Sequence, residues 1–197
     1  MKLMIVLLAC LINISALAIE TGSNAPEFEV AAAGSKIGKV KLSDFKSKIV
    51  VLEWLNHGCP FVRKHYDSGN MQALQKKYTS KNVIWWSIIS SAPGKQGFVE
   101  APTAREEMIK NHSSATNILL DSDGKVGQLY GAKTTPHFLI INKGKLVYQG
   151  AIDDKPDTDK ESVKAAKNYV SLALDQVLDD RPVTIHTTQS YGCSVKY

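Results

Sequence analysis

Residues 49–55 form an almost uninterrupted apolar run, and this run constrains the fold more than any other part of the sequence. Such a run is typical of a strand that is covered on both faces, as in the centre of a sheet flanked by helices. Residues 56–60 end the strand, and Pro60 suits the first position of a helix because its missing N–H needs no partner there. A buried strand that leads directly into a helix indicates an α/β domain.

The rest of the chain continues this alternation of strands and helices. Strands are expected at residues 36–42, 83–89, 117–120, 136–141 and 145–150. Helices are expected at residues 60–79 (Ser68 and Gly69 favour an interruption), from the capping-box pair Thr103 and Glu106 to 111, at 125–130 and at 160–178. We expect a mixed sheet with helices on both faces, and core packing of the tryptophans on its strands, Trp54, Trp85 and Trp86.

The first 18 residues are predicted to be a signal peptide. Lys2 precedes an apolar run over residues 3–17, and residues 16–18 (Ala-Leu-Ala) fit a cleavage site. The run is shorter than the roughly 20 residues that span a bilayer, so we expect no stable membrane span after cleavage. Acylation of Cys10, which would make a lipoprotein, is the alternative. We predict export to the periplasm or beyond of a domain over residues 19–182 with a tail over 183–197.

The charge pattern argues against nucleic-acid binding. The formal net charge is +5, from 24 basic and 19 acidic residues, but the basic residues are scattered and only three of them are arginines. A nucleic-acid surface needs a basic patch or stripe, and none is present in the sequence. We expect neither a cofactor nor a resident metal ion.

Cys59 is the strongest candidate for a reactive residue. It follows the predicted buried strand and precedes a helix, whose N-terminal N–H groups and dipole stabilise a thiolate. Cleavage after Ala18 would leave Cys59 and Cys193 as the only cysteines, and an oxidising compartment would permit a disulfide between them. Two cysteines are too few for a disulfide scaffold, which favours a chemical role for at least one.

Two segments resemble the thioredoxin superfamily. Residues 53–62 (EWLNHGCPFV) resemble its active-site segment, and residues 134–141 (TTPHFLII) resemble its cis-proline strand. The strand–helix material between residues 90 and 117 resembles the redoxin branch, which includes alkyl hydroperoxide reductase/thiol-specific antioxidant and TlpA-like proteins. This resemblance implies a thioredoxin-like α/β fold, a central mixed β-sheet flanked by helices, with a redoxin-type insertion and a C-terminal tail.

The resemblance also implies roles for individual residues. Cys59 matches the attacking cysteine, Pro136 matches the cis-proline beside it, and Glu53 matches a buried acid that shuttles protons. The loops around Cys59 and Pro136 are expected to contact the substrate, which makes their neighbours candidate substrate-binding residues: His57, Pro60, Thr135 and His137.

Two departures from the family pattern affect the expected reaction. The second active-site cysteine of thioredoxins would be at position 62, where this chain has Val62, so exchange within a local CxxC pair is impossible. Cys193 is a candidate resolving cysteine, with a structural disulfide and an unpaired or intermolecular thiol as the alternatives. Peroxiredoxins carry Thr or Ser and Pro where this chain has Asn56 and Leu52, which argues against fast peroxide reduction.

Three functions follow from these residues. The leading expectation is an exported thiol–disulfide oxidoreductase, in which Cys59 attacks a protein or small-molecule disulfide and Cys193 or an external thiol reductant resolves the product. The runner-up is a thiol-dependent peroxidase with antioxidant activity. The third is a non-catalytic thioredoxin-like binding module or a copper carrier, in which His57, Cys59 and His137 would converge.

Overall fold

The computed structural model describes residues 19–34 and 37–197. The predicted signal peptide and Cys10 lie outside the described residues. The strands are β1 (Glu29–Ala33), β2 (Ile37–Lys41), β3 (Ile49–Trp54), β4 (Ile84–Ile89), β5 (Asn117–Leu120), β6 (Thr134–Thr135), β7 (His137–Asn142), β8 (Lys145–Gly150) and β9 (Cys193–Ser194). The α-helices are α1 (Pro60–Asp67), α2 (Asn70–Thr79), α3 (Ala101–Lys110), α4 (Lys125–Leu129) and α5 (Tyr169–Leu178).

Seven strands form one mixed sheet in the order β2-β1-β5-β4-β3-β7-β8. Strand β3 pairs in parallel with β4, and β4 pairs in parallel with β5. The remaining pairs, β1 with β2 and β5, and β7 with β3 and β8, are antiparallel. This topology confirms the predicted thioredoxin-like α/β fold, and it places β3, which leads to Cys59, among the central strands.

The two faces of the sheet bury separate apolar clusters. Val51 and Trp85 lie in the cluster beneath α1, α2 and α5, whereas Leu52 and Trp86 lie in the cluster on the opposite face. Neighbouring strand residues point to opposite faces, and both faces are covered, which explains the continuous apolar runs in β3 and β4. Trp54, Trp85 and Trp86 are buried, as expected.

Several boundaries differ from the sequence-based expectation. Strand β1 is absent from the sequence-based expectation. It has only five residues, Glu-Val-Ala-Ala-Ala, which are too few and too rich in alanine to give a clear strand pattern. The helix predicted over residues 60–79 is interrupted at Ser68 and Gly69, as the sequence favoured, and Gly69 has a φ of +76°. The predicted capping box at Thr103 is wrong, because α3 begins at Ala101 with a proline in its first turn.

The single helix predicted over residues 160–178 is also wrong. Residues Lys160–Ala165 form a 3₁₀ helix, and α5 begins only at Tyr169. The side chain of Asn168 accepts a hydrogen bond from the Ser171 N–H and caps α5. The amphipathic pattern is continuous in the sequence, but the capping residue Asn168 within it starts a new helix and so divides the segment in two.

The C-terminal tail, residues 183–197, crosses the surface that carries Cys59. It first follows β8, where the N–H of Gln149 donates to the carbonyl of His186 and the N–H of Thr188 donates to Gln149. Its strand β9 then pairs antiparallel with β6 in a separate two-stranded sheet. None of the helices in the described ranges is long and apolar enough to cross a membrane.

The close approach of β9 to β6 requires a glycine at position 192. Gly192 has a φ of +133°, and a Cβ there would overlap the carbonyl oxygen of Thr135. We therefore expect Gly192→Ala to release the end of the tail, because both the backbone angle and the contact become unfavourable. Limited proteolysis with mass spectrometry would detect this as new cleavage after residue 188, while residues 19–182 stay resistant.

Gly144→Ala is the matched control for this prediction. Gly144 also has a positive φ, +78°, but a Cβ there would meet nothing within 4 Å. Unchanged protection of the tail in Gly192→Ala, or equal release in Gly144→Ala, would contradict the steric explanation.

Candidate functional site

The buried strand β3 and helix α1 together place Cys59. Cys59 is the N-cap residue of α1, Pro60 occupies the first helical turn and is exposed, and the carbonyl of Cys59 accepts from the N–H groups of Val62 and Arg63. The Cys59 side chain is fully buried. Its sulfur thus lies at the positive end of a helix, where a thiolate is favoured.

The β6–β9 pairing brings Cys193 to Cys59. Cys193 lies opposite Thr135 in that pairing, and Thr135 immediately precedes Pro136, whose peptide bond is cis. The sulfur of Cys59 lies 3.0 Å from the carbonyl oxygen of Thr135 and 2.7 Å from the sulfur of Cys193. Both cysteines are free thiols in this structure. Four of the predicted site residues, Cys59, Cys193, Thr135 and Pro136, therefore meet at one point.

The two thiols have pKa values displaced in opposite directions. Burial alone would raise the pKa of Cys59, but hydrogen bonds from the Cys193 thiol and from the backbone N–H of Val62 outweigh it and leave this pKa below its usual value. Burial and the hydrogen bond to Cys59 raise the pKa of Cys193 to about 11. When one of the two thiols ionises, the negative charge is therefore favoured on Cys59, which makes Cys59 the better nucleophile.

The loop before Cys59 is held by its own side chains. Asn56 is buried, accepts a hydrogen bond from the Gly58 N–H, and donates one to the carbonyl of Gln96. Gln96 in turn donates to the carbonyl of Gly58 at 3.3 Å. The loop over residues 91–97 therefore borders the site, and the amide of Asn56 is occupied in holding it there.

The side chain of His57 contacts residues of α1 and α3. Its ring packs against Tyr66 with a centroid distance of 5.2 Å, and its Nε2 lies 3.9 Å from a carboxylate oxygen of Glu107. A cleft of about 390 Å³ opens beside it, between α1 and α3. Both basic and acidic residues line this cleft, among them Arg63 and Glu107. Burial lowers the pKa of His57 to about 4, so the ring is neutral near pH 7.

Glu53 is buried at the centre of a hydrogen-bond network. Its carboxylate accepts from four side chains on α1, α2 and β4: Tyr66, Gln75, Trp85 and Ser87. Burial raises its pKa, and the four donors act in the opposite direction. The structure does not show the Glu53 carboxylate in contact with the Cys59 sulfur. The network instead ties the helix that carries Cys59 to the strands beneath it.

The suggested convergence of His57, Cys59 and His137 is not observed. His137 lies on β7 opposite Trp54 in the pairing with β3, and its Nδ1 accepts from the Lys133 N–H. Among the described residues no group of three or more His, Cys, Asp or Glu side chains is arranged to hold a metal ion.

The residues that secure the tail beside Cys193 could not be predicted from the sequence. The Tyr191 hydroxyl donates to the carboxylate of Asp153 and lies 3.3 Å from Nε2 of His65 on α1. At the other end, the Tyr197 hydroxyl donates to the carbonyl of Ala132. These residues lie far apart in the sequence and no motif connects them, so only the fold reveals their contact.

A family model that describes the AhpC/TSA family matches residues 21–149. The chain belongs to the AhpC/TSA family. The match includes β3, the Cys59 loop and Pro136, but ends before the tail that supplies Cys193. No curated protein sequence gives a significant match to the chain.

Three solved structures illustrate how similar folds occur elsewhere. An uncharacterized conserved protein from Geobacillus kaustophilus is 26% identical, with a TM-score of 0.74 over 90% of this chain and 92% of that one. A hypothetical protein from Sinorhizobium meliloti 1021 is 22% identical, with a TM-score of 0.75 over 92% and 96%. A protein from Chlorobium tepidum, provisionally described as the thiol:disulfide interchange protein DsbE, is 25% identical, with a TM-score of 0.54 over 75% and 95%.

Membership of the AhpC/TSA family and the similarity to the Chlorobium tepidum protein support a redox function for the chain. They confirm the resemblance to the thioredoxin-like superfamily and its redoxin branch that the sequence indicated.

Two buried histidines, His65 and His137, and the half-buried His57 make stability depend on pH. Burial lowers the pKa values of His57, His65 and His137 to about 4, whereas an unfolded chain protonates histidine near pH 6.5. The unfolded state therefore binds more protons between these values, and the free energy of unfolding falls as the pH is lowered from about 6.5 to about 4. We expect each histidine to lower the free energy of unfolding by up to about 3 kcal/mol over this pH range. Urea unfolding at a series of pH values would measure this loss.

Substitution separates this effect from the titration of carboxyl groups. His137→Gln should flatten the pH dependence by about one bound proton, because one of the three groups is removed. His112→Gln replaces an exposed histidine and should retain the wild-type slope. A wild-type slope in His137→Gln would show that His137 is not held neutral in the folded protein.

Proposed function

We propose that the chain is an exported thiol–disulfide oxidoreductase in which Cys59 attacks the substrate and Cys193 resolves the mixed disulfide. The observation that carries this proposal is the 2.7 Å contact between the sulfurs of the two free thiols, and the lower pKa of Cys59 supports it. The signal-peptide pattern of residues 1–18 supports export to an oxidising compartment, and protein disulfides are common in such compartments.

The reaction begins at the Cys59 thiolate. It attacks one sulfur of a substrate disulfide, so that a bond forms between Cys59 and the substrate while the substrate S–S bond breaks. The second substrate sulfur leaves as a thiolate and takes up a proton. The position of Cys59 at the start of α1 favours this step, because the helix N-terminus stabilises its negative charge.

Resolution uses the thiol that the tail supplies. Cys193 loses its proton and attacks the Cys59 sulfur, the bond to the substrate breaks, and the substrate leaves as a thiolate. Two electrons have then passed from the cysteine pair to the substrate, and an external thiol reductant restores the pair. The absence of a cysteine at position 62 makes the distant Cys193 necessary for this route.

The surrounding residues have supporting roles in this proposal. Thr135 and Pro136 border the sulfur of Cys59 and would present backbone to the substrate once the tail moves. Pro60 and His57 flank the same loop, and His57 borders the adjoining cleft. Glu53 acts through Tyr66 and so positions α1, while His137 shapes the strand beyond Pro136.

A thiol-dependent peroxidase is the second candidate, and membership of the AhpC/TSA family favours it. In that reaction a peroxide would oxidise Cys59 to a sulfenic acid, and Cys193 would condense with it and release water. The structure offers less support for the first step. The Asn56 amide is hydrogen-bonded to Gln96, and the polar contacts of the sulfur among the described residues are with Thr135, Cys193 and the backbone N–H of Val62.

Replacement of Cys193 tests the proposed exchange reaction. When Cys193→Ser is mixed with a peptide disulfide, we expect the mixed disulfide at Cys59 to decay at least about tenfold more slowly than in the wild type, because the intramolecular nucleophile is missing. Acid quenching and peptide mass spectrometry would follow each species. Cys59→Ser is the control and should form no mixed disulfide. Equal decay in Cys193→Ser and wild type would eliminate the resolving role.

A further inference from the structure

The tail covers the reacting sulfur. Cys59 is fully buried, and Cys193 lies against its sulfur at 2.7 Å. An external disulfide must approach the Cys59 sulfur along the axis of the bond that it breaks, and that approach requires Cys193 to move away. After the attack, however, the same residue must return to complete the reaction. The contacts that hold the tail near Cys193 therefore control both steps.

Tyr191, two residues before Cys193, ties the tail to the body of the domain through its side chain. Its hydroxyl donates to Oδ1 of Asp153 and lies 3.3 Å from Nε2 of His65. Its ring packs against Phe61, with a centroid distance of 5.9 Å. Phe61 and His65 both belong to α1, the helix that begins at Cys59, so Tyr191 connects the tail directly to the element that positions the attacking sulfur.

The hydrogen bonds of Tyr191 form a chain with one donor at each link. The amide nitrogen Nδ2 of Asn70 lies 2.9 Å from Nδ1 of His65. Because an amide nitrogen can only donate, Nδ1 is the acceptor. The proton of the neutral imidazole is then on Nε2, which donates to the Tyr191 hydroxyl, and that hydroxyl donates to Asp153. His65 and Asp153 are both buried, so loss of the Tyr191 hydroxyl would leave two buried groups without this partner.

We propose that Tyr191 is the positioning residue of the resolving cysteine: its hydroxyl, held between His65 and Asp153, keeps Cys193 over Cys59 and determines how often Cys59 is uncovered for a substrate. The consequence for turnover rests on the proposed exchange reaction. The uncovering itself is a property of the tail and is measurable without any substrate.

Tyr191→Phe tests this role because it keeps the ring against Phe61 and removes only the hydroxyl. We expect the rate at which a bulky maleimide alkylates Cys59 to rise about tenfold, since a tenfold change in opening corresponds to about 1.4 kcal/mol, the size of a buried charge-assisted hydrogen bond. Peptide mass spectrometry reads the label on Cys59 alone, in the full chain as purified.

Tyr78→Phe is the matched control. It also removes a phenol that bonds a carboxylate, that of Asp175, but this contact joins α2 to α5 and touches neither the tail nor Cys59. We expect wild-type alkylation of Cys59 in this variant. Asp153→Asn keeps an acceptor for Tyr191 at reduced strength, so its effect should lie between those of wild type and Tyr191→Phe.

Three results would overturn the proposal. The first is a Cys59 alkylation rate in folded Tyr191→Phe within about twofold of the wild type. The second is an equal rise in Tyr78→Phe, which would indicate general loosening of the domain. The third is a larger rise in Asp153→Asn than in Tyr191→Phe. Failure of the exchange reaction in the wild type would count against the proposed function and leave this measurement unaffected.

Discussion

The site depends on the antiparallel pairing of two very short strands, β6 and β9. This pairing places the last residues of the chain beside the cis Thr135–Pro136 bond and brings Cys193 within 2.7 Å of Cys59. Gly192 permits the approach because a side chain there would overlap the Thr135 carbonyl. The rest of the domain holds Cys59 in place: strand β3 leads to it, helix α1 begins after it, and the buried carboxylate of Glu53 fixes α1 through Tyr66.

The covering of Cys59 by its own tail has two opposing consequences. A buried thiol is protected from adventitious oxidation, but it is also inaccessible to the disulfide that it is proposed to attack. The same tail supplies the donor that favours the Cys59 thiolate and the nucleophile that would end the reaction. Reactivity is therefore expected to follow the opening of the tail as well as the pKa of the attacking thiol.

Much of the fold could be predicted from the sequence, because it rests on local patterns. The apolar run before Cys59 and the proline after it define a strand, a turn and a helix within 20 residues of each other, and the segment around Pro136 resembles a known strand. The broken helix near residue 166 was missed because capping by Asn168 outweighs an amphipathic pattern that continues across it.

The assembly of the site could be predicted only in part. Cys59 and Cys193 could be selected by chemistry, but 134 positions separate them, and nothing local indicates that they touch. Tyr191, Asp153 and His65 are ordinary polar residues in the sequence, and only the course of the tail brings them together. Glu53 could be recognised as a strand carboxylate, whereas its four donors come from elements that the sequence does not connect.

The central claim is that Cys59 and Cys193 form an exchangeable pair. The most direct measurement is a redox titration in glutathione buffers, with the Cys59–Cys193 disulfide quantified by peptide mapping after acid quenching. We expect a reversible transition at a potential above about −300 mV, within reach of glutathione. A disulfide that remains oxidised throughout the series would be a structural bond, and a pair that never forms one would leave Cys193 without a role; either result would contradict the account.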